Sequence, residues 1–280
     1  MTTRDSAALA DPPRDIAFGN DDFERIRRLI YQRAGISLND SKRQMAYSRL
    51  SRRVRATGTL SFSAYLDRLE REGGDEWQEF INALTTNLTS FFREQHHFPV
   101  LHDFARDHHK STGRPPRLWC SAASTGEEPY SIVMTLDEAG CGQSKLIASD
   151  IDTNVLAQAA RGVYKTEGVQ SLGDARLRRY FMRGTSTNAG LVRVRPELRR
   201  MIEFKQVNLL DEDWRLGETF DAIFCRNVMI YFDKPTQHSI LEKFARVLRP
   251  GGLLFAGHSE NFSDFHGPFV LRGKTVYERR

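Results

Sequence analysis

The sequence is short of cysteine, of long apolar runs and of any large charge excess. The three cysteines of the 280-residue chain, Cys120, Cys141 and Cys225, stand far apart and form no CxxC pair. That spacing argues against a disulfide framework or a zinc ribbon and points to a reducing cytoplasm. No apolar run approaches the ~20 residues needed to cross a bilayer. The first fourteen residues lack the apolar stretch of a secretory signal, and residues 1–15 are expected to form a disordered tail. No internal repeat or low-complexity tract is evident.

What is present is an ordinary globular composition, 40% hydrophobic and 28% charged. It excludes wholesale disorder and leaves room for one large domain or two smaller ones. The net charge of +5 is unevenly spread: residues 42–55 hold six basic side chains and no acidic one. Such a cluster suits an anionic partner, whether nucleic acid, lipid or an acidic protein surface, or else forms a solvated helix face.

Periodicity divides the chain. Phe23, Ile26, Leu29 and Ile30 share one helical face, and residues 40–57 form a second helix with Met45, Leu50 and Val54 inward. Phe62, Tyr65, Leu66 and Leu69 mark a third helix, ended at Gly73-Gly74, and Trp77, Phe80, Ile81 and Leu84 a fourth. A helix over residues 94–108 follows, then a turn at residues 112–116. Beyond it, short apolar strands at 118–122, 146–149, 202–207, 220–225 and 253–256 alternate with amphipathic helices. That alternation predicts a doubly wound parallel sheet. Residues 269–277 read as a closing hairpin. Residues 162–200 interrupt the alternation and read as an inserted small antiparallel β-subdomain, in which Leu191-Val192-Arg193-Val194-Arg195 alternates as an exposed strand does.

Ligands of such sheets bind outside the C-terminal ends of the strands. After the first strand come small residues and one glycine, Ser121 to Gly126, then Glu127-Glu128. This turn is not Gly-x-Gly-x-x-Gly, and it also reads as a plain strand-to-helix turn. The second strand ends in Asp150-Ile151-Asp152, one acid suited to a ribose diol and Asp152 suited to cap the next helix. The third ends in Asn208-Leu209, an amide and an apolar group fit for an adenine edge and face. The fourth ends in Cys225-Arg226-Asn227, followed by Tyr231.

Seven segments in this order, LIYQRAGI, LTTNLTSFFRE, SAASTGEEPYS, ASDID, VNLL, FCRNVMIYFD and LLFAGHSENF, make the chain resemble the CheR-type chemotaxis receptor methyltransferases over residues 23–277. The resemblance implies an α/β fold: a Rossmann-like class I S-adenosylmethionine methyltransferase domain over residues 93–280, carrying the small antiparallel β-subdomain. An all-α N-terminal domain over residues 16–92 recognises the receptor and precedes it. It implies S-adenosyl-L-methionine as methyl donor, S-adenosyl-L-homocysteine as product and no metal. Cofactor contacts fall to Asn87, Thr89, Arg93, Glu128, Asp150, Asn208, Leu209, Arg226 and Asn227, and the reacting centre to Arg93 and Tyr231.

The partners implied are the methylation helices of chemoreceptors. Lys42, Arg43, Arg49, Arg52, Arg53 and Arg55 are expected to meet their acidic surface. A receptor C-terminal tail peptide is expected at the β-subdomain near Arg193 and Arg195, adding as a strand to an edge offered by residues 191–195. Membrane association runs only through the receptor. Nucleic acid is not an expected substrate, since Arg226-Asn227-Val228-Met229 lacks the (Asp/Asn)-Pro-Pro-(Tyr/Phe) element of amino-directed DNA methyltransferases. A cofactor-sensing scaffold without catalysis is disfavoured by Arg93, Asp150 and Tyr231. The histidines at 96, 97, 102, 108 and 109 are not read as a metal site, for want of cysteine or a close carboxylate set. Cys225 is expected to be a core residue.

Overall fold

A computed structural model describes residues 16–217, 219–265 and 267–280; the expected tail, residues 1–15, lies outside the described residues. The described residues divide into two compact units, residues 16–33 with 37–84, and residues 34–36 with 85–280. Residues 85–92 therefore belong to the larger unit.

The smaller unit is helical. Helix α1 (Asn20–Ala34) buries Phe23, Ile26, Leu29 and Ile30. A 3-10 turn at Asp40–Lys42 leads into α2 (Arg43–Ala56). Its inward face is Ala46, Leu50 and Val54, recurring every fourth residue, with Ser51 beside them. Met45 is rotated one position off that face and is only half-buried. Helix α3 (Phe62–Glu72) starts at Ser61, whose hydroxyl caps the Ala64 N–H at 3.1 Å. It stops at Gly73, whose φ of +51° and contact with Trp77 leave no room for a side chain: a Cβ would stand 2.6 Å from Trp77 Nε1. Helix α4 (Glu76–Leu84) buries Phe80, Ile81 and Leu84. Arg53 of α2 reaches across to Glu76 and Glu79, and Arg25 of α1 to Asp67 and Glu70.

The larger unit opens with a turned segment and α5 (His97–Thr112), three residues later than the sequence suggests. Phe92 and Glu94 take positive φ values, +53° and +56°, which no α-helix accommodates. The core then follows in order: β1 (Arg117–Cys120), α6 (Glu127–Glu138), β2 (Lys145–Asp150) and α7 (Thr153–Arg161). An insertion comes next, with β3 (Val163–Lys165), α8 (Gly173–Tyr180), β4 (Phe181–Arg183), β5 (Leu191–Val194) and α9 (Pro196–Arg199). The core resumes with β6 (Ile202–Gln206), β7 (Phe220–Cys225), α10 (Lys234–Val247), β8 (Leu248–Ala256), β9 (Phe269–Gly273) and β10 (Val276–Arg279).

The main sheet runs β6-β2-β1-β7-β8-β10-β9. The first five strands pair in parallel, and β10 joins antiparallel to β8 and to β9, giving the expected closing hairpin. The sheet has apolar packing on both faces. Leu118 and Cys120 of β1 join a cluster with α5 and α6, while Trp119 between them joins Trp214, Phe220 and Phe244 on the other face.

The insertion forms its own antiparallel sheet, ordered β3-β5-β4. One expectation is corrected here. Residues 191–194 are the middle strand, with Val163–Lys165 paired on one side and Phe181–Arg183 on the other, so β5 has no open edge for a peptide. The sequence pattern marks the alternation of Arg193 outward and Val192 and Val194 inward, which the structure has. It carries no information on which neighbours pair with that strand.

Candidate active site

The order β6-β2-β1-β7 sets four strand ends side by side, spanning about 14 Å at the usual spacing of paired strands. Asn208 follows β6, Asp150 ends β2, the turn at residues 121–126 follows β1, and Arg226 follows β7. The chain leaves β1 toward β2 on one side and reaches β7 on the other, which makes this the topological switch point.

The turn after β1 is tied to Asp150. The Ser124 N–H donates to Asp150 Oδ2 at 2.8 Å, and the Asp152 N–H to Oδ1 at 3.0 Å. Ser124 has φ +47° and Gly126 φ +101°. A Cβ at Gly126 would lie 2.6 Å from Tyr164 Oη and 2.9 Å from Ala159 Cβ, so only glycine lets α6 start here. Burial pushes Asp150 up to about 6 despite bonds from the backbone N–H groups of Asp152, Ser124 and Ile151. A carboxylate offers about four acceptor sites, so Asp150 keeps lone-pair capacity for ligand hydroxyls beside these backbone bonds.

Asp152 is the helix cap, accepting from the Asn154 and Val155 N–H groups at the start of α7. Its other oxygen accepts from Thr85 Oγ1 at 2.6 Å and Asn87 Nδ2 at 2.8 Å. The Asn87 carbonyl in turn accepts from Ser124 Oγ at 3.0 Å. Residues 85–87 are thus laced to the ends of β1 and β2. The Asn208 amide oxygen closes its own turn by accepting from the Leu210 N–H at 3.0 Å. Leu209 beside it is buried. A buried lysine that the sequence reading passed over, Lys243 of α10, holds this turn by donating to the carbonyls of Leu209 and Asp211 at 2.7 and 2.9 Å. Burial depresses its ammonium.

Arg226 is the hub of the second half. Its side chain is fully buried and donates Nη1 to Glu128 Oε2 at 2.6 Å and Nη2 to the Arg93 carbonyl. Glu94 Oε2 lies 3.3 Å from the same Nη2. Burial raises Glu128, with Arg226 opposing, while the Cys120 thiol approaches its other oxygen at 3.4 Å. Burial acts on Glu94 in the same upward sense. Bonds from His258 and Asn227 and the charge of Arg226 outweigh it and hold Glu94 at about 2. His97, buried beside this pair, is driven down to about 4 by desolvation and by Arg226. The left-handed Phe92 and Glu94 turn Glu94 toward this knot, ahead of the helix in which the sequence places it.

Arg93 donates Nη1 to the Leu88 carbonyl at 2.9 Å, and Thr89 lies half-buried between the two ends of that segment. Tyr231 sits in a 3-10 turn, Met229–Tyr231, and is half-buried. Leu88 and Ile230, beside Asn87 and Tyr231 in sequence, are exposed apolar residues, at 81% and 50%. Sequence reasoning missed Glu260 entirely. Its buried carboxylate binds the loop that carries Asn227, through backbone N–H groups that leave no mark in a sequence.

Glu94, His96 and His97 bring one donor atom each within 4.8 Å, so His96 and His97 do have a carboxylate near them. Arg226 stands 3.3 Å from that carboxylate, a cation where a metal ion needs none. All three cysteines are buried, and burial raises the Cys225 thiol far above its ordinary range, as suits a core residue.

On the helical unit, Lys42, Arg52 and Arg55 are exposed, while Arg43, Arg49 and Arg53 are half-buried. Arg43 stacks over Phe18 and Phe23, and Arg53 is in its ion pairs with α4. Arg193 and Arg195 are exposed on the insertion.

The sheet order with its antiparallel hairpin, and the acids and amides at the switch point, define a class I methyltransferase fold. The CheR methyltransferase SAM binding domain matches residues 87–277, and the CheR methyltransferase all-alpha domain matches residues 21–85. This chain belongs to the CheR methyltransferase family. It is 54% identical over 276 residues to the chemotaxis protein methyltransferase of Salmonella typhimurium, covering 97% of this chain and 94% of that one. The chemotaxis protein methyltransferase of Escherichia coli is 55% identical over 94% of this chain and 92% of its own. Chemotaxis protein methyltransferase 2 of Pseudomonas aeruginosa is 52% identical over 94% and 95%. No described helix is long and apolar enough to cross a membrane.

Proposed function

We propose that the protein is a cytoplasmic protein-glutamate O-methyltransferase that esterifies glutamate side chains of chemoreceptors for sensory adaptation. Family membership supports the class of reaction. The observation that carries the residue assignment is the buried Arg226, joined to Glu128 and to the Arg93 carbonyl in one bonded unit. Around it, Asp150 has capacity for a ribose diol, Asn208 and Leu209 for an adenine, and Glu128 with Asn227 for the charged methionine end. These groups fit S-adenosyl-L-methionine in kind and in order along the strand ends.

The chemistry asks little of the protein. A glutamate carboxylate, with a reference pKa of about 4.3, is already ionised in the cytoplasm, so no general base is needed. S-adenosyl-L-methionine supplies an electrophilic methyl on a sulfonium, with a neutral thioether as leaving group. The protein's work is alignment, which contributes about 7–11 kcal/mol in favourable systems. Arg93 and Tyr231 hold the incoming carboxylate in place. An arginine bonded to the carboxylate also stabilises its ground state, so its part is positioning. Attack brings opposite charges together, and the apolar surroundings favour that over separated, solvated ions.

The helical domain, with its boundary moved from residue 92 to residue 84, recognises the receptor's methylation helices, and residues 85–280 with the insertion at 162–200 carry the reaction. A receptor tail peptide docks on the insertion. Since β5 is internal, that peptide adds to an outer strand, β3 or β4, close to Arg193 and Arg195. Tethering raises the local concentration of methylation sites toward the millimolar range without altering the chemistry.

The test is methyl transfer from labelled cofactor to membranes containing chemoreceptors, followed by alkaline methanol release, because esters hydrolyse and methylated amines do not. Arg93→Ala and Tyr231→Phe are expected to lose activity while remaining folded. Label retained after base treatment overturns the ester assignment, and normal turnover in both variants overturns the site.

A further inference from the structure

Glu260 is a buried acid with no role in the reading above. Its side chain points at backbone, where each oxygen collects two N–H groups. Oε2 accepts from Asn227 at 3.0 Å and from Gly257, and Oε1 from Val228 at 3.0 Å and Met229 at 2.8 Å. The residue is 3% exposed, and no cation is paired with its carboxylate among the described residues.

The loop it grips follows β7 and needs a grip. Asn227 sits at φ +58°, the left-handed region, which is unfavourable for a non-glycine residue unless its surroundings fix it. Three successive N–H groups, of residues 227–229, converge on one carboxylate, and that concave arrangement forms only with Asn227 turned left-handed. The same turn aims the Asn227 amide at Glu94 Oε1, 3.1 Å away, and Met229 opens the 3-10 turn that ends at Tyr231.

The opposite side is equally constrained. Gly257 packs so closely on the loop that a Cβ there would lie 2.4 Å from Asn227 Nδ2 and 2.8 Å from its backbone nitrogen. His258, next in sequence, bonds Glu94 Oε1 at 2.9 Å. Residues 257–260 therefore hold both Asn227 and the acid that Asn227 meets.

We infer that Glu260 is a positioning residue for methyl transfer: its carboxylate, acting through four backbone N–H groups, fixes the loop that presents Asn227 and Tyr231 to the reacting groups. Only a carboxylate meets the requirement. Glutamine offers one acceptor oxygen and turns an NH2 group against N–H donors, and aspartate is one methylene short. An unsatisfied donor set inside the protein then drives the loop elsewhere. This inference rests on the proposed transferase reading, and its test separates the two.

The experiment compares wild type, Glu260→Gln and Gly257→Ala. Calorimetric titration with S-adenosylhomocysteine counts binding-competent molecules, and turnover per competent molecule is measured on receptor membranes at saturating and limiting receptor. The expected result is a fall in kcat of about 10- to 100-fold in both variants, with the receptor KM within about 3-fold of wild type. A residue that serves only stability lowers the count of competent molecules and leaves their kcat intact. Should Glu260→Gln fail to fold, Gly257→Ala tests the same loop from its other side. A kcat per competent molecule within about 2-fold of wild type in whichever variant folds overturns the inference. If neither folds, Glu260 is a folding determinant and the inference is likewise overturned. A wild-type protein that binds S-adenosylhomocysteine and methylates no receptor overturns the transferase reading instead.

Discussion

Arg226, directly after β7, and Glu128, in the first turn of α6 after the neighbouring strand β1, are 98 residues apart in sequence and meet at 2.6 Å with both side chains out of water. Neither tolerates loss of the other. Removing one partner of a buried pair strands a charge and typically costs about 3–5 kcal/mol, whereas replacing both with apolar groups can be close to neutral. Arg226→Met is therefore expected to destabilise strongly, and adding Glu128→Leu to restore much of the loss. Urea denaturation of the two single variants and the double one measures the coupling, and additive losses would contradict it. Activity is expected to be absent in all three.

Acid stability is expected to reflect His97 first. Its folded-state value of about 4 lies below the ordinary 6.5, so the unfolded chain takes up a proton before the folded one does. Stability is complete above pH 6.5 and declines as the pH falls toward 4, by up to about 3 kcal/mol from this residue. The groups facing it are Arg226, which opposes protonation, His96, which opposes it too, and Glu94, which favours it. Glu94, held at about 2, adds a second loss below pH 4.5. Urea midpoints at pH 7, 6 and 5 are expected to fall more steeply in wild type than in His97→Gln, and parallel slopes would remove His97 from the account.

Asp150 and Asp152 are expected to separate cofactor binding from architecture. Asp150→Ala weakens S-adenosylmethionine by about 1.5–3 kcal/mol if the carboxylate binds the ribose, with the fold retained. Asp152→Ala removes the cap of α7 and the anchor of Thr85 and Asn87, and is expected to cost about 1–2 kcal/mol of stability from the cap alone. Calorimetry and thermal melts on both variants decide the assignment; unchanged affinity in folded Asp150→Ala rejects it.

The basic helix is expected to act through its exposed residues. Reversing Arg52 and Arg55 to glutamate slows receptor methylation and flattens its salt dependence, because exposed charges act mainly on the association rate. Arg53→Glu breaks the pairs with Glu76 and Glu79 and is expected to lower stability by about 1–3 kcal/mol. An unaltered salt profile in the double reversal excludes this helix as the docking face.

Tail docking is expected to fail when an outer strand is blocked. Gly184 donates its N–H to Leu191, so Arg183, one residue earlier, directs its own N–H away from β5. Thr166 donates to Gly190, which turns Lys165 of β3 outward in the same way. Arg183→Pro and Lys165→Pro each delete one outward donor while sparing the internal pairings. Calorimetric titration with receptor tail peptides identifies the strand used, and binding that survives both substitutions excludes strand addition.

The sequence by itself determined the periodic parts. Helical faces such as Phe23, Ile26, Leu29 and Ile30, the five parallel strands and the closing hairpin follow from apolar spacing, and spacing is a local property of the chain. Seven short segments in order determined the family. The cap at Asp152 was legible too, because capping chemistry is local. Tertiary structure alone decided which groups meet across long separations. Pairing order, invisible to period-two alternation, put β5 in the middle of the insertion. Arg53 follows the helical period of the basic cluster, yet α4, more than twenty residues further on, supplies its carboxylates. Glu94 left its expected helix because Phe92 and Glu94 turn left-handed, and the partners that make this worthwhile, Arg226, Asn227 and His258, lie more than 130 residues downstream. Glu260 bonds only backbone, and a backbone N–H is the same at every residue but proline, so nothing in its neighbours' identities could have announced it.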